Sequence, residues 1–376
     1  MPVTRSGKSS TPKKPKHLIK PSTYVFDPSR ITLPNEIIIR VLSILADDRK
    51  QKSLAKCCQV SKQFYAMSSP LLWNHLRLTP WKTDEGGKLI EDPSKYRCGA
   101  LKTQQKNGKA LKNDVNTFSL YHHSMSWCKS DTKSTLQLPN AQTLHLYPKR
   151  ITAMHSDPWY ATPPCRLLKN VQPKELILHN VSIVHQDLMV DINCQKLFET
   201  VEVLVLITNA LYSDWHWESP KPPWVPHLRQ VYYVFEPIPN PYPYDLEEEE
   251  NLRYLINDIM WNLKHQLRRA TVTFVNLEAL EYASRGSLAA GEPRLKTKFE
   301  RLLFAMIDDF PSSSRFSTKE EREERKRTVR IITLQEFYQE DGWWRYVDRQ
   351  DMDEWVKIMQ SNTQEAVEER EQQLRH

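Results

Sequence analysis

Eight times along the 376-residue chain the sequence spells the same short motif, apolar-x-x-apolar-x-apolar. It appears as Trp73/Leu76/Leu78, Val115/Phe118/Leu120, Ala141/Leu144/Leu146 and Pro173/Leu176/Leu178, then as Val201/Leu204/Leu206, Leu228/Val231/Tyr233, Leu267/Ala270/Val272 and Val329/Ile332/Leu334. The middle positions fall at 76, 118, 144, 176, 204, 231, 270 and 332, and four consecutive intervals lie between 26 and 32 residues. Alternation with a period of two marks a strand, and recurrence at a near-constant interval marks a stack of similar units. Helical patterns lie between the strands. Leu188, Ile192 and Leu197 make one; Leu252, Leu255, Ile256, Ile259, Leu263 and Leu267 make a second. Leu295, Phe299, Leu302, Leu303 and Met306 make a third, opening after Pro293. Strands and helices in alternation predict parallel strands joined by crossovers. The steady period predicts a curved solenoid in place of a closed sheet.

The unit Val201-x-x-Leu204-x-Leu206-x-x-Asn209 fits the leucine-rich-repeat consensus at every marked position. The intervals come close to that repeat's ~20–29 residues. The other units lack the Asn, so the expected fold is an α/β one, an irregular leucine-rich-repeat-like solenoid over residues 79–350. Long loops interrupt it at 82–113, 211–226 and 236–250, and the charge-alternating segment 318–328 reads as a solvated helix or linker. The loop 211–226 holds Trp215, Trp217 and Trp224, side chains of the kind favoured at binding hot spots. Covering the flank of the solenoid is their alternative role, and Trp343 and Trp344 carry the same ambiguity. Residues 351–376 read as a C-terminal helix and polar tail.

The net charge of +7 belongs mostly to one end. The first 20 residues carry Arg5, Lys8, Lys13, Lys14, Lys16 and Lys20 and no acid, which leaves 47 basic against 46 acidic side chains in the rest. Residues 1–30 therefore read as a disordered basic arm. Its run Thr11-Pro-Lys-Lys-Pro-Lys16 is either a nuclear import signal or a solvated tail. A fold that bound nucleic acid would usually keep its positive charge on the fold itself, so nucleic acid is not an expected partner. The six cysteines form no C-x-x-C pair and no hydrophobic signal segment precedes them. They predict reduced thiols in an intracellular protein, cytoplasmic or nuclear. No run reaches the ~18 apolar residues that span a bilayer, so no membrane is expected.

Residues 31–78 have another texture. Leu33-Pro34-Asn35-Glu36 starts a helix with Pro where its missing N–H costs nothing. Glu36–Leu45 then packs Ile37, Ile38, Ile39, Val41, Leu42, Ile44 and Leu45 into ten residues. Ile37, Val41 and Leu45 repeat at i, i+4, i+8, with Ile38, Leu42 and Leu45 in a second row beside them. Such a helix is apolar over too much of its circumference to serve one core. Asp47-Asp48 closes it. A second helix carries Leu54 and Cys58 with Val60 adjacent. A third carries Phe64 and Met67, and Pro70-Leu71-Leu72-Trp73 ends the module.

These residues resemble an F-box, the docking module of substrate receptors in SCF ubiquitin ligases. The resemblance rests on Leu33-Pro34-x-Glu36-Ile37, Val41-Leu42-x-x-Leu45, Leu54, Val60-Ser61, Phe64 where the family often has Trp, and Leu72-Trp73. The linker Asp47–Ser53 is slightly longer than usual. The resemblance implies a three-helix module whose first helix enters an apolar groove on a Skp-family adaptor and, through it, reaches a cullin. The expected adaptor-facing residues are Leu33, Pro34, Ile37, Ile38, Val41, Leu42 and Leu45, with Val60 in support. The remainder resembles fungal-type F-box proteins with irregular repeats, which implies an unknown target protein held by the repeat surface. The other reading of the first helix is a cap that closes the end of the solenoid.

Motifs for catalysis are missing. The eight glycines (7, 86, 87, 99, 108, 286, 291 and 342) build neither G-x-G-x-x-G nor G-x-x-x-x-G-K-[ST]. No G-x-S-x-G elbow occurs. His122, His123 and Cys128 fall short of the four ligands a structural zinc site wants, and read as a loop with surface histidines. Glu247–Glu250 suits the start of the Leu252 helix. His179 and His185 are expected to flank a turn. The chain is thus expected to be a non-enzyme with no cofactor and no metal. A nucleic-acid-binding protein and a scaffold without a ligase link are the alternatives.

Overall fold

The computed structural model describes residues 33–47, 50–79, 81–83, 89–91, 114–124, 127, 138–147, 165, 167–168, 171–179, 195–208, 225–237, 252–253, 255–257, 270–280, 295–309, 318–361 and 372. Three helices come first: α1 (Asn35–Asp47), α2 (Gln51–Cys57) and α3 (Lys62–Asn74). Ser61 starts α3 by accepting a hydrogen bond from the Phe64 amide, the usual way a helix N-terminus satisfies a spare donor. The helix runs through Pro70 to Asn74, just past the Pro70–Trp73 segment that ends the module in the sequence pattern.

α3 leads directly into β1 (His75–Leu78). The hairpin β2 (Trp81–Thr83) and β3 (Leu89–Glu91) follows, at the start of the stretch read as a loop. Each strand has only three residues, too few to show a period. The other strands are β4 (Thr117–Tyr121), β5 (Thr143–Tyr147), β6 (Glu175–His179), β7 (Val203–Thr208), β8 (Gln230–Phe235), β9 (Thr271–Val275) and β10 (Val329–Ile332). β1 and β4–β10 form one eight-stranded sheet in which strand order follows chain order. Every neighbouring pair is parallel. The architecture is α/β.

The register confirms the motif as a physical row. Leu76, Phe118, Leu144, Leu176, Leu204 and Val231 stand side by side as ladder partners. The row continues through Val272 and Val329, so the expected positions 270 and 332 are displaced by two and by three residues. Ala270 precedes its strand, and Ile332 points to the opposite face. A second apolar row runs Leu78, Leu120, Leu146, Leu178, Leu206, Tyr233 and Phe274. Both rows lie in the main core.

Crossover residues cover this face. Helix α4 (Gln195–Phe198) brings Leu197 and Phe198, and Leu252, Leu255 and Ile256 come from short helical turns. Helix α5 (Leu295–Asp308) buries Leu295, Phe299, Leu302, Leu303 and Ile307. The expected Met306 is only half-buried beside Ile307. Phe299 meets Phe274 edge to face at 5.1 Å, and Phe274 stacks on Tyr233 at 5.2 Å, arrangements the ring quadrupoles favour. Among the described residues, no helix is long and apolar enough to cross a membrane.

Helix α6 (Lys319–Arg327) opens with a capping box between Thr318 and Glu321. It is not wholly solvated: Arg325 is buried and donates to the Ala270 carbonyl at 2.8 Å. Burial lowers the Arg325 pKa to about 10, partly offset by Tyr233. After β10 the chain turns back beneath the sheet. Helix α7 (Leu334–Gln339), a 3-10 turn at Trp343–Arg345 and helix α8 (Arg349–Ser361) pack on the face opposite the main core. Leu334, Phe337, Trp343, Val347, Met352 and Trp355 meet Ile177, Val205, Ile207, Tyr232, Val234, Val275 and Ile332 there in a second core.

At the end of β9, Asn276 has φ 63°, a left-handed conformation that Asn tolerates better than most residues. Its side chain donates to the Phe235 carbonyl at 2.8 Å in a buried site. Replacing it by Ala loses that bond and keeps the unfavourable backbone. In urea denaturation Asn276→Ala is expected to cost about 2–4 kcal/mol and Asn276→Gly about 1 kcal/mol less.

Candidate functional site

Within the N-terminal module the described hydrophobic interior is small. Leu42 and Leu54 are 2% and 1% exposed, and Ser68 of α3 is fully buried. Gln63 ties α3 to the start of α1 through the Asn35 side chain at 2.8 Å. With one turn of α1 committed inward, the helix leaves a second apolar face outside. Ile37, Val41 and Ile44 are 48%, 53% and 46% exposed. Their i, i+4, i+7 spacing places them in one stripe. Leu33, 60% exposed, extends it past the N-terminus, and Pro34 is exposed there too. Val60 is exposed at 65% and Tyr65 at 56%.

Most of the expected adaptor-facing residues therefore do present themselves to solvent, but not all. Leu42 lies in the interior and holds α1 onto its own module. Ile38 and Leu45 are half-buried between the two faces. Ile44, not among the expected residues, belongs to the outer stripe, because i+7 and not i+8 continues the row Ile37–Val41 on a helix of 3.6 residues per turn. Ile39 is also exposed, 47%, on another side.

The module is joined firmly to the sheet. Gln51 donates to the His75 carbonyl at 2.8 Å, and Trp73 packs against the main core.

A second feature lies on the sheet face that α8 covers. Tyr121, Tyr147 and His179, partners on adjacent strands, form a parallel ring stack with centroids 4.1 and 3.9 Å apart. The Arg77 guanidinium caps it 4.6 Å over Tyr121 and hydrogen-bonds to the Tyr121 hydroxyl. His145 reaches His179 at 3.1 Å. His179 is the last residue of β6, and His185 lies outside the described residues. Between this stack and α8 is a cavity of about 290 Å³ with Ile207, Pro237, Val347 and Ile358 on its apolar wall and Glu236, Asp351 and Glu354 among its polar lining.

Glu236 follows β8 and lies under α8. Burial raises its carboxyl to about 7, the Asp351 and Glu354 charges push the same way, and a hydrogen bond from Trp355 opposes them. His179 and Tyr147 line the same cavity.

His123, expected on the surface, is fully buried. It hydrogen-bonds the Tyr121 carbonyl at 2.7 Å, lies 3.6 Å from the Cys165 sulfur, and tilts against Trp127. Cys128 lies outside the described residues. Among those described, no group of three or more His, Cys, Asp or Glu is placed to hold a metal ion. Trp215, Trp217 and Trp224 also lie outside the described residues. Trp343 is buried in the second core, and Trp344 is 43% exposed.

Residues 31–79 match the family model described as F-box-like. The three helices thus carry an F-box-like domain, and domains of this class generally bind Skp-family adaptors, which suggests an adaptor-binding role for the N-terminal module. No curated protein and no solved structure matches the chain.

The two faces of α1 should respond differently to truncation. Leu42→Ala is expected to cost about 2–5 kcal/mol in chemical unfolding, since it opens a cavity. Ile44→Ala should stay within about 0.5 kcal/mol, as surface changes do. Glu236 predicts a pH effect. Its folded pKa lies above the 4.5 of a free carboxyl, so its stabilising contribution is complete below pH 4.5 and is lost as pH rises through about 7. The melting temperature of the wild type should fall relative to that of Glu236→Gln between pH 5 and pH 8.

Proposed function

We propose that this protein is the substrate-recognition subunit of an SCF-type E3 ubiquitin ligase. The F-box-like domain docks to a Skp-family adaptor, and through it to a cullin. The eight-stranded region, an irregular leucine-rich-repeat-like solenoid on this reading, holds the target protein. Ubiquitin transfer belongs to other subunits, and this chain contributes proximity.

The observation that carries the reading is the bare apolar stripe Leu33–Ile37–Val41–Ile44 on a helix whose other side is already filled by Leu42. Contiguous exposed aliphatic surface is an aggregation liability unless a partner covers it. Burying these four side chains at ~1.5–3 kcal/mol each supplies a gross drive on the order of 6–12 kcal/mol, much of it offset by association and ordering costs. The remainder suits a stable but exchangeable subunit. Strand order that follows chain order supports the stacked-repeat reading, because a doubly wound sheet would reverse direction at a switch point.

The test is co-purification of the full chain with a Skp-family adaptor. The wild type should form a one-to-one complex. Ile37→Asp/Val41→Asp should weaken it at least tenfold while circular dichroism and melting stay unchanged. A complex of unaltered affinity in that variant, or no complex with the wild type, overturns the proposal.

A further inference from the structure

The two ends of the eight-stranded sheet are finished differently. In a parallel ladder every second residue of an edge strand turns its N–H and C=O away from the sheet. On β1 those residues are His75 and Arg77, because the Asn74 carbonyl is the one that accepts from Asn116. Gln51 of α2 donates to the His75 carbonyl, so the N-terminal module covers this edge. On β10 the outward residues are Val329 and Ile331, because the carbonyls of Thr328 and Ile332 accept from Val272 and Asn276. No described residue forms a hydrogen bond with the outward groups of either. The helices that follow, α7 and α8, pack on a face of the sheet and not along this edge. The side chains show the same asymmetry. Leu78, at the covered end of the second apolar row, is 2% exposed, whereas Ile331 at its open end is half-buried.

We propose that β10 is a docking edge, on which an extended segment of the target adds as a ninth strand. The proposal rests on the reading of the sheet region as a target receptor, and names the conformation and side chains that region takes. The backbone sets the conformation. Donors and acceptors in alternation along a strand match another extended backbone, the mode of β-strand addition. A helical segment satisfies its own backbone groups and has none to offer along its length. The side chains set the sequence. Positions of the added strand in line with Val329 and Ile331 fall on the main-core face and extend the two apolar rows, so they take aliphatic residues. The position in line with Arg330 falls on the other face. Arg330 is exposed and donates to the Glu340 carboxylate at 2.6 Å. A guanidinium has five donors, so an aspartate or glutamate placed there gains a charge-assisted bond of its own. The same arginine argues against a second copy of this chain. The two-fold antiparallel register that joins Val329 of one copy to Ile331 of the other sets Arg330 opposite Arg330, and like charges directly opposite are destabilising. A charge on an edge strand guards against self-pairing in this way.

The experiment uses the full chain bound to its adaptor, with the peptide acetyl-Lys-Thr-Val-Glu-Val-Thr-Lys-amide as probe and amide hydrogen exchange read by NMR as reporter. Saturation with the peptide should slow exchange of the Val329 and Ile331 amides at least tenfold. The Arg330 and Ile332 amides, which face β9, should change little. Methylation of the three central peptide nitrogens removes N–H groups and keeps every side chain, and should weaken binding at least tenfold. Lysine in place of the central glutamate should weaken it severalfold, and Arg330→Glu should reverse that preference. Ile331→Pro removes an outward donor that the ladder does not use and should weaken binding at least tenfold; where that variant fails to fold, Arg330→Glu decides. Adaptor binding should be unchanged in the folded variants, so a failed adaptor interaction is read separately from a failed edge. No slowing at Val329 and Ile331, full affinity of the methylated peptide, an unreversed preference in Arg330→Glu, or a dimer of the full chain that Ile331→Pro disperses would each sink the proposal.

Discussion

The backbone ladder between parallel strands is the constraint on which the rest depends. Once Leu76, Phe118, Leu144, Leu176, Leu204, Val231, Val272 and Val329 stand in one row, every other side chain on the sheet has its face assigned. Strand side chains alternate with a period of two, and a slip of one residue would exchange the faces entirely. The hydrogen bonds extend one residue ahead of the strands, from Asn116 to Asn74, Gln142 to Asn116, Lys174 to Gln142 and Glu202 to Lys174. Ion pairs Lys174–Glu202 at 3.8 Å and Arg229–Glu202 at 3.9 Å border the same edge. They are exposed and contribute little stability. The apolar rows, dry and contiguous, fix the register.

That row was legible because burial on one face demands a repeated apolar residue, and six of its positions can be read from the motif alone. It failed at β9 because the motif in the true frame, with Val272 in the middle and Phe274 at the end, would open on the polar Arg269, so the apolar Leu267 and Ala270 set the frame two residues early. It failed at β10 because Ile332 and Leu334 are apolar for a different reason, contact with the second core. The opposite face was legible only in the reading of Trp343 as cover for the flank. Its partners, Ile207 and Val234 against Trp355 and Val347, are separated by more than a hundred residues, and no local period announces such a contact. His145 and His179 were obscure for a related reason: a polar residue can be buried when a neighbouring strand supplies its hydrogen bond, and His123 is buried against the Tyr121 carbonyl and Cys165.

In α1 the composition announced surplus apolar surface, but not how it is divided. Seven aliphatic residues in ten leave every direction around the helix plausible. The choice is made by α2 and α3, which pack against α1 so that Leu42 is buried while Ile37, Val41 and Ile44 face outward. The family pattern names the segment; the packing of two short helices selects the stripe. A residue such as Leu42 can be indispensable to docking without touching the partner, because it sets the angle at which the others are displayed.

The proposed receptor role has a second requirement, which the junction meets. A receptor that brings a target to a distant catalytic subunit loses its benefit if the two ends swing freely, since proximity is worth only what orientation preserves. Here α3 passes into β1 with no intervening linker, Gln51 grips the first strand from α2, and Trp73 is embedded in the core that runs under all eight strands. Each later strand is bonded to its predecessor, so β10 is coupled to α1 by continuous packing. A hinge would need an exposed, unbonded segment between Asn74 and His75, and the chain has none there.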